Sequence, residues 1–183
     1  MLLSYLVLLV PAPLAHATFH EVLISELYPG STASPQSSFL ELQMYSAGQN
    51  FVGGHTITVY KADGGVVDTF AFPSDLPGNG VNQQTMLVGD SAVGEAFGVT
   101  PDLVDPGFNI PAAGGAACWD GLDCVSWGSF SGQTAPSSGV PVDQGGIPDG
   151  KAIERRITAG SCSNWLELAD DTDDSDSDFF VAA

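Results

Sequence analysis

Residues 39–60, FLELQMYSAGQNFVGGHTITVY, constrain the fold of this chain more than any other stretch. From Phe39 to Tyr45 apolar and polar residues alternate, with Leu40, Leu42 and Met44 on one face and Glu41 and Gln43 on the other. A period of two is the pattern of a half-buried strand. Ser46 to Asn50 breaks the run, Gly53-Gly54 punctuates its restart, and His55 to Tyr60 alternates again, with Ile57 and Val59 inward. The expectation is two strands forming a sheet edge, with Val22–Leu27 as a further partner.

The rest of the chain repeats this grammar. Lys61 to Gly65 reads as a hairpin turn with Val66–Phe72 as its return strand, and Gln84–Val88 forms another short strand. Gly98 and Pro101 leave room for no more than one helical turn between Gly94 and Asp105. Ala112–Trp119 and Cys124–Trp127 read as a second hairpin, and Lys151–Ile157 as the last strand. Between them Ser129–Asp149 is rich in Ser, Gly and Pro and longer than compact domains usually tolerate, which predicts a mobile or binding loop. Short strands between turn clusters define an all-β chain.

Four blocks in combination, VLISELYPG, FLELQMYSAGQNFVGGHTITVY, AGGAACWDGLDCVSWG and DDTDDSDSDFF, resemble the lamin-tail domain family in its bacterial secreted form. The similarity runs from Val22 to Phe180, nearly the whole of the mature chain. It implies an immunoglobulin-like β-sandwich that serves as an interaction module without catalytic residues of its own. In bacteria such domains occur in exported proteins, often beside nucleases or other hydrolases, where they look like tethers or adhesion modules. Their nuclear relatives are linked to chromatin.

Charge argues against that last role here. The formal charge is −18, with only Lys61, Lys151, Arg155 and Arg156 as fixed cations. Nucleic-acid binding depends on basic side chains that displace counterions, so no nucleic-acid partner is expected. An anionic membrane surface is equally unattractive. Met1 to Ala17, MLLSYLVLLVPAPLAHA, reads as a signal peptide ending in a small-x-small cleavage site, though without a positive n-region. The expectation is a secreted domain spanning 18–183, with no membrane span after cleavage and an unknown protein or cell-surface partner. Of the three cysteines, Cys118 and Cys124 flank a turn and are expected to bridge, leaving Cys162 over. Secretion is compatible with a disulfide.

Few residues offer chemistry. Asp170, Asp171, Asp173, Asp174, Asp176 and Asp178, with Glu167 nearby, make the densest acidic run. Asp174, Asp176 and Asp178 are spaced like the start of a calcium loop, yet the glycine and the closing glutamate of an EF-hand are missing. A looser calcium site is one reading. The other is a solvated acidic segment, screened by salt and paired in part with Arg155 and Arg156, before Phe179-Phe180 return to the core. Gly89-Asp90-Ser91 is similar to the nucleophile block of GDSL hydrolases and to the surroundings of a serine-protease nucleophile, but His16, His20 and His55 all precede Ser91. Ser91 therefore reads as a turn residue. Glu26 and Glu41 suggest a glycosidase carboxylate pair, and a solvated outer strand face accounts for them more simply. Trp119, Trp127 and Trp165 suggest a sugar platform, against which Trp119 and Trp127 read as sealing one end of a sandwich. No residue is assigned to catalysis. The leading reading is a secreted, non-catalytic binding or surface-structural module. A calcium-dependent extracellular adhesion module is the alternative, and a serine hydrolase through Ser91 and His55 a weaker third.

Overall fold

A computed structural model describes residues 19–78 and 80–182, so the expected signal peptide lies outside the described residues. The chain forms an all-β, immunoglobulin-like sandwich of two sheets. The larger sheet contains β1 (Val22–Tyr28), β2 (Phe39–Met44), β5 (Thr85–Gly89), β6 (Leu103–Val104), β9 (Ile153–Arg155) and β10 (Phe179–Val181), in the order β10-β9-β1-β2-β5-β6. The smaller contains β3 (Thr56–Lys61), β4 (Val66–Ala71), β7 (Gly114–Trp119) and β8 (Asp123–Gly128), in the order β4-β3-β7-β8. All ladders are antiparallel except β5–β6. Two short helices, α1 (Ala92–Phe97) and α2 (Ser175–Asp178), complete the elements used below. No helix among the described residues is long and apolar enough to cross a membrane.

The alternation in residues 39–60 places side chains as expected: Leu40, Leu42, Met44, Ile57 and Val59 are fully buried, and Glu41, Gln43, Thr56 and Thr58 are only partly covered. Its pairing differs from the expectation. The two strands belong to different sheets, β2 lying between β1 and β5 and β3 between β4 and β7. Periodicity identifies a buried face but not the neighbour across the ladder, which is a non-local property. The intervening segment crosses between sheets, with Gln49, Asn50 and Val52 buried and Asn50 Nδ2 donating to the carbonyls of Leu76 and Gly78.

One contiguous core fills the space between the sheets. Trp119 and Trp127 are fully buried within it. Trp127 Nε1 donates to the Pro111 carbonyl at 2.7 Å. A side chain of this size is among the strongest contributors to a core, since apolar burial is worth about 25 cal/mol per Å2. The expected hairpin is present, with Cys118 opposite Cys124 in the ladder and joined to it by a disulfide. Cys162 is free and exposed.

Two further expectations change. The 129–149 segment is pinned rather than loose. Ser131 N–H donates to the Ala62 carbonyl, Val142 N–H to Ser126, and Ser138, Val142 and Ile147 are buried. The last strand is not β9, because the chain returns after the acidic run as β10, pairing Phe179, Phe180 and Val181 with Arg155, Glu154 and Ile153. The helical turn near Gly94 is α1, ended by Gly98 in the left-handed region at φ 71°, a conformation that favours glycine.

Candidate functional site

Two carboxylate-rich regions stand out, on opposite faces of the larger sheet. The first lies inward and is built around Arg155. β9 pairs with β1 only through Glu26–Glu154 and Leu27–Ile153. Beyond that short ladder, Ile24 keeps a backbone N–H and C=O that need partners. The Ile24 N–H donates to Asp123 Oδ2 at 2.7 Å, and its carbonyl accepts from Arg155 Nε at 2.7 Å. Arg155 Nη2 then meets Asp123 Oδ2 at 2.6 Å, with both side chains 1% exposed. Because Asp123 belongs to β8, this ion pair ties one sheet to the other.

The same guanidinium gathers the acidic segment. Nη1 donates to the Asp170 carbonyl and to Asp171 Oδ1 at 3.3 Å, and lies 3.9 Å from Asp178 Oδ2. The planar group also sits 4.4 Å from the centre of the Phe179 ring. Burial works against the charge of Arg155, but Asp123, Asp171 and Asp178 outweigh it and hold its pKa above the ordinary value. Asp171 is the least well served carboxylate of the group. Burial, with Asp123 beside it, lifts it to about 6 against the pull of Arg155.

The structure does not turn Asp174, Asp176 and Asp178 toward a common centre. Asp174 caps α2 by accepting from Ser177 N–H, and its other oxygen accepts from Val140 N–H at 3.1 Å. These donors, Val140 first, hold its carboxyl below the usual range. Asp178 accepts from the Thr172 hydroxyl and backbone N–H, while Asp176 is exposed. Among the described residues no group of three or more His, Cys, Asp and Glu is placed to hold a metal ion.

The other sequence candidates are scattered. Ser91 donates to Asp90, whose carboxylate also accepts from the backbone of Ala92 and Gly107, so the Gly-Asp-Ser segment is a turn. His55 Nδ1 lies 2.7 Å from Asp120 Oδ2, and its ring stacks on Phe19 with centroids 3.3 Å apart. With Trp119 and Trp127 inside the core and Trp165 exposed, the three indoles make no common platform.

The second region lies on the outer face of the larger sheet, where the sequence suggested a solvated surface. Ladder register sets Glu154, Glu26, Glu41 and Leu87 side by side on β9, β1, β2 and β5. Neighbours across a ladder have β-carbons about 5 Å apart, so three carboxylates are crowded with no cation of the described residues paired to Glu26 or Glu41. Above this row α1 folds over the sheet, and Val93 packs with Tyr28 and Phe39 into a small second core. Tyr28, Phe39 and Phe97 form a three-ring cluster, with Phe97 edge-on to the other two at 5.2 and 5.7 Å.

Beside the rings and the acids opens a cleft of about 270 Å3, lined by Glu26 and Glu41 together with Phe39, Leu87, Val93, Phe97 and Val99. The cleft is half roofed, so its acids are partly desolvated. Burial, then Glu154 and Glu41, raise the pKa of Glu26 to about 7. Burial also raises Glu41, opposed by hydrogen bonds from Ser25 and Thr85 and reinforced by Asp102 and Glu154. Ser25 Oγ lies 2.9 Å from Glu41 Oε1. An apolar cleft holding a carboxylate whose pKa is raised this far marks a candidate binding or reactive site.

Comparison with known proteins finds no matching family model, no matching curated protein and no matching solved structure.

Proposed function

We propose that this chain is an exported, non-catalytic binding module of the lamin-tail kind, which engages a protein or cell-surface partner through the outer face of its larger sheet. The cleft beside Glu26 and Glu41 is the observation that carries this reading. Phe97 and Val99, which border it, are 48% and 52% exposed. Exposed apolar side chains grouped at one place mark a contact surface more often than they serve the fold. The formal charge of −18 supports an extracellular, freely soluble module over one that meets phosphate backbones. The disulfide is compatible with an oxidising compartment.

The test has two arms. Expression of the full sequence in a secreting host should yield extracellular protein beginning at Thr18, as read by mass spectrometry. On intact cells of a host that carries the partner, the wild-type chain should be retained and a Phe97→Ser, Val99→Ser variant released. Intracellular retention of an unprocessed chain, or equal retention of wild type and variant, would refute the reading. Turnover of an ester or peptide substrate that is lost in a Ser91→Ala variant would instead install the hydrolase.

A further inference from the structure

We propose that the cleft on the outer face of the larger sheet receives a lysine side chain of a partner polypeptide, its ammonium on Glu26 and Glu41 and its alkyl stem against Phe39, Phe97 and Val99. This rests on the reading of the chain as a binding module and names the chemistry that module recognises.

Three observations select this occupant. The cleft combines two carboxylates with aromatic and aliphatic side chains in one lining, which suits a cation that carries its own hydrocarbon. A metal ion fits poorly, because hard cations require six to eight oxygens and, Glu26 and Glu41 apart, the lining side chains offer none. An ammonium can satisfy both kinds of group at once, pairing with carboxylate and sitting against aromatic rings. Among the described residues no cation is paired with Glu26 or Glu41, whereas the comparable cluster on the inner face holds Arg155. No complementary charge among the described residues is paired with these two carboxylates, and a partner can supply one.

The third observation separates a polypeptide from a free amine. A cleft of about 270 Å3 is smaller than usual drug-sized pockets and matches one long side chain. Phe97 and Val99, which line it, are both about half exposed. A small amine would leave that rim in water. The residues flanking a lysine would cover it.

Proton occupancy gives the interaction a direction with pH. Glu154 from β9 and Glu41 from β2 face Glu26 across the ladders, while Asp102, before β6, and Glu154 act on Glu41. From α1 the lining takes the uncharged Val93 and Phe97, while the helix's one titratable side chain, Glu95, is exposed and outside the lining. With Glu26 raised to about 7, acidification protonates the very group that the ammonium needs. Affinity should accordingly rise from pH 5.5 to pH 8.

The experiment uses the mature chain and the probe acetyl-Val-Lys-Val-amide, followed by backbone amide NMR at fixed ionic strength. Its norleucine counterpart and n-butylammonium serve as comparison ligands. Expected are shifts confined to Glu26, Glu41 and Val93–Val99, an affinity about tenfold lower at pH 5.5, and a further loss of about tenfold with norleucine. Butylammonium should bind more weakly than the peptide. Glu26→Gln keeps the shape, so a folded Glu26→Gln, Glu41→Gln protein should lose the lysine preference. Shifts spread over the acidic surface, or norleucine binding as well as lysine, would overturn the proposal. Butylammonium binding as tightly as the peptide would overturn the polypeptide assignment in favour of a free amine. Extracellular delivery and surface retention are read separately, so loss of lysine recognition with retention intact removes this inference alone.

Discussion

The inner cluster around Arg155 and the outer row of Glu154, Glu26 and Glu41 present the same problem and solve it differently. Each gathers carboxylates from several elements against one face of the larger sheet, the inner ones buried and the outer ones partly covered. Inside, the chain supplies a cation and adds backbone donors: Asp170 Oδ1 accepts from the N–H groups of Thr158 and Ala159, and Asp178 from Thr172. Outside, Glu41 receives a hydroxyl, Glu26 receives neither a hydrogen bond nor an ion pair among the described residues, and the relief comes from retaining a proton. The first arrangement serves the fold, since each of its carboxylates finds a hydrogen-bond donor or Arg155 within the chain, Asp171 least fully. The second leaves a chemical demand open at the surface, and such a demand is what a partner can meet.

The largest effect should follow from breaking the inner solution. Arg155→Met fills similar space but strands Asp123 and Asp171 in the interior and releases the Ile24 carbonyl. Removing one partner of a buried pair costs about 3–5 kcal/mol. The variant should unfold at clearly lower urea than wild type, and Arg155→Met with Asp123→Leu should recover part of the loss. Equal stability of wild type and the single variant would show that Arg155 is not what neutralises the segment.

How much of this was legible beforehand divides along the same line. The inward faces of β2 and β3, the Cys118–Cys124 bridge and the return of Phe179 to the core follow from local pattern. A contribution of Arg155 to pairing the acidic run was also readable, because few cations exist to do it. Its principal partner was not. Asp123 sits between Leu122 and Cys124 in what reads as a turn, and nothing local says that it reaches Ile24 and Arg155, which are 99 and 32 residues away in sequence. Glu26 and Glu41 were visible as outward residues of alternating strands. Their crowding required ladder register, and their desolvation required α1 to fold over the sheet. Both are tertiary facts. The assignment of β2 and β3 to one sheet failed for the same reason.

A smaller effect should appear on the outer face, and its sign is fixed by the direction of the shift. A carboxyl with a raised folded-state pKa stabilises the fold while protonated. That contribution is full below the unfolded value near 4.5 and is lost as pH rises through about 7. Asp171, raised to about 6, acts in the same sense. Stability should therefore increase as pH falls from 8 to 5.5, and Glu26→Gln should flatten the slope. At pH 8 the variant should gain about 1 kcal/mol, allowing for the partial exposure of Glu26. Destabilisation of Glu26→Gln at pH 8 would mean that the charged form is favoured in the fold, which would equate the two regions.

A comparable loss tests the first turn of α2. Asp174→Ala removes the acceptor for Ser177 N–H and Val140 N–H and should cost about 1 kcal/mol. An unchanged urea midpoint would mean that the cap is dispensable and that Asp174 is free for another task.

The smallest expected effect concerns calcium, and it asks whether the acidic segment needs a second cation besides Arg155. Salt screens exposed charges over about 10 Å at ordinary ionic strength, which deals with Asp173 and Asp176. Asp174 and Asp178 have their oxygens turned to backbone and hydroxyl donors, so binding a metal would require releasing those bonds. A cation that binds only the folded state must raise the melting temperature with its concentration. Melts with calcium, magnesium and chelator at constant ionic strength should therefore coincide. Replacing Asp174 and Asp176 by Asn sharpens the comparison, because Asn caps a helix about as well as Asp and so removes charge without removing the cap. The double variant should melt alike in all three conditions, slightly below wild type, because an amide at position 174 keeps one acceptor oxygen where the carboxylate serves both Ser177 N–H and Val140 N–H. A rise of several degrees specific to calcium, absent from that variant, would show that the inner region also looks outward for neutralisation and would establish the calcium-dependent alternative.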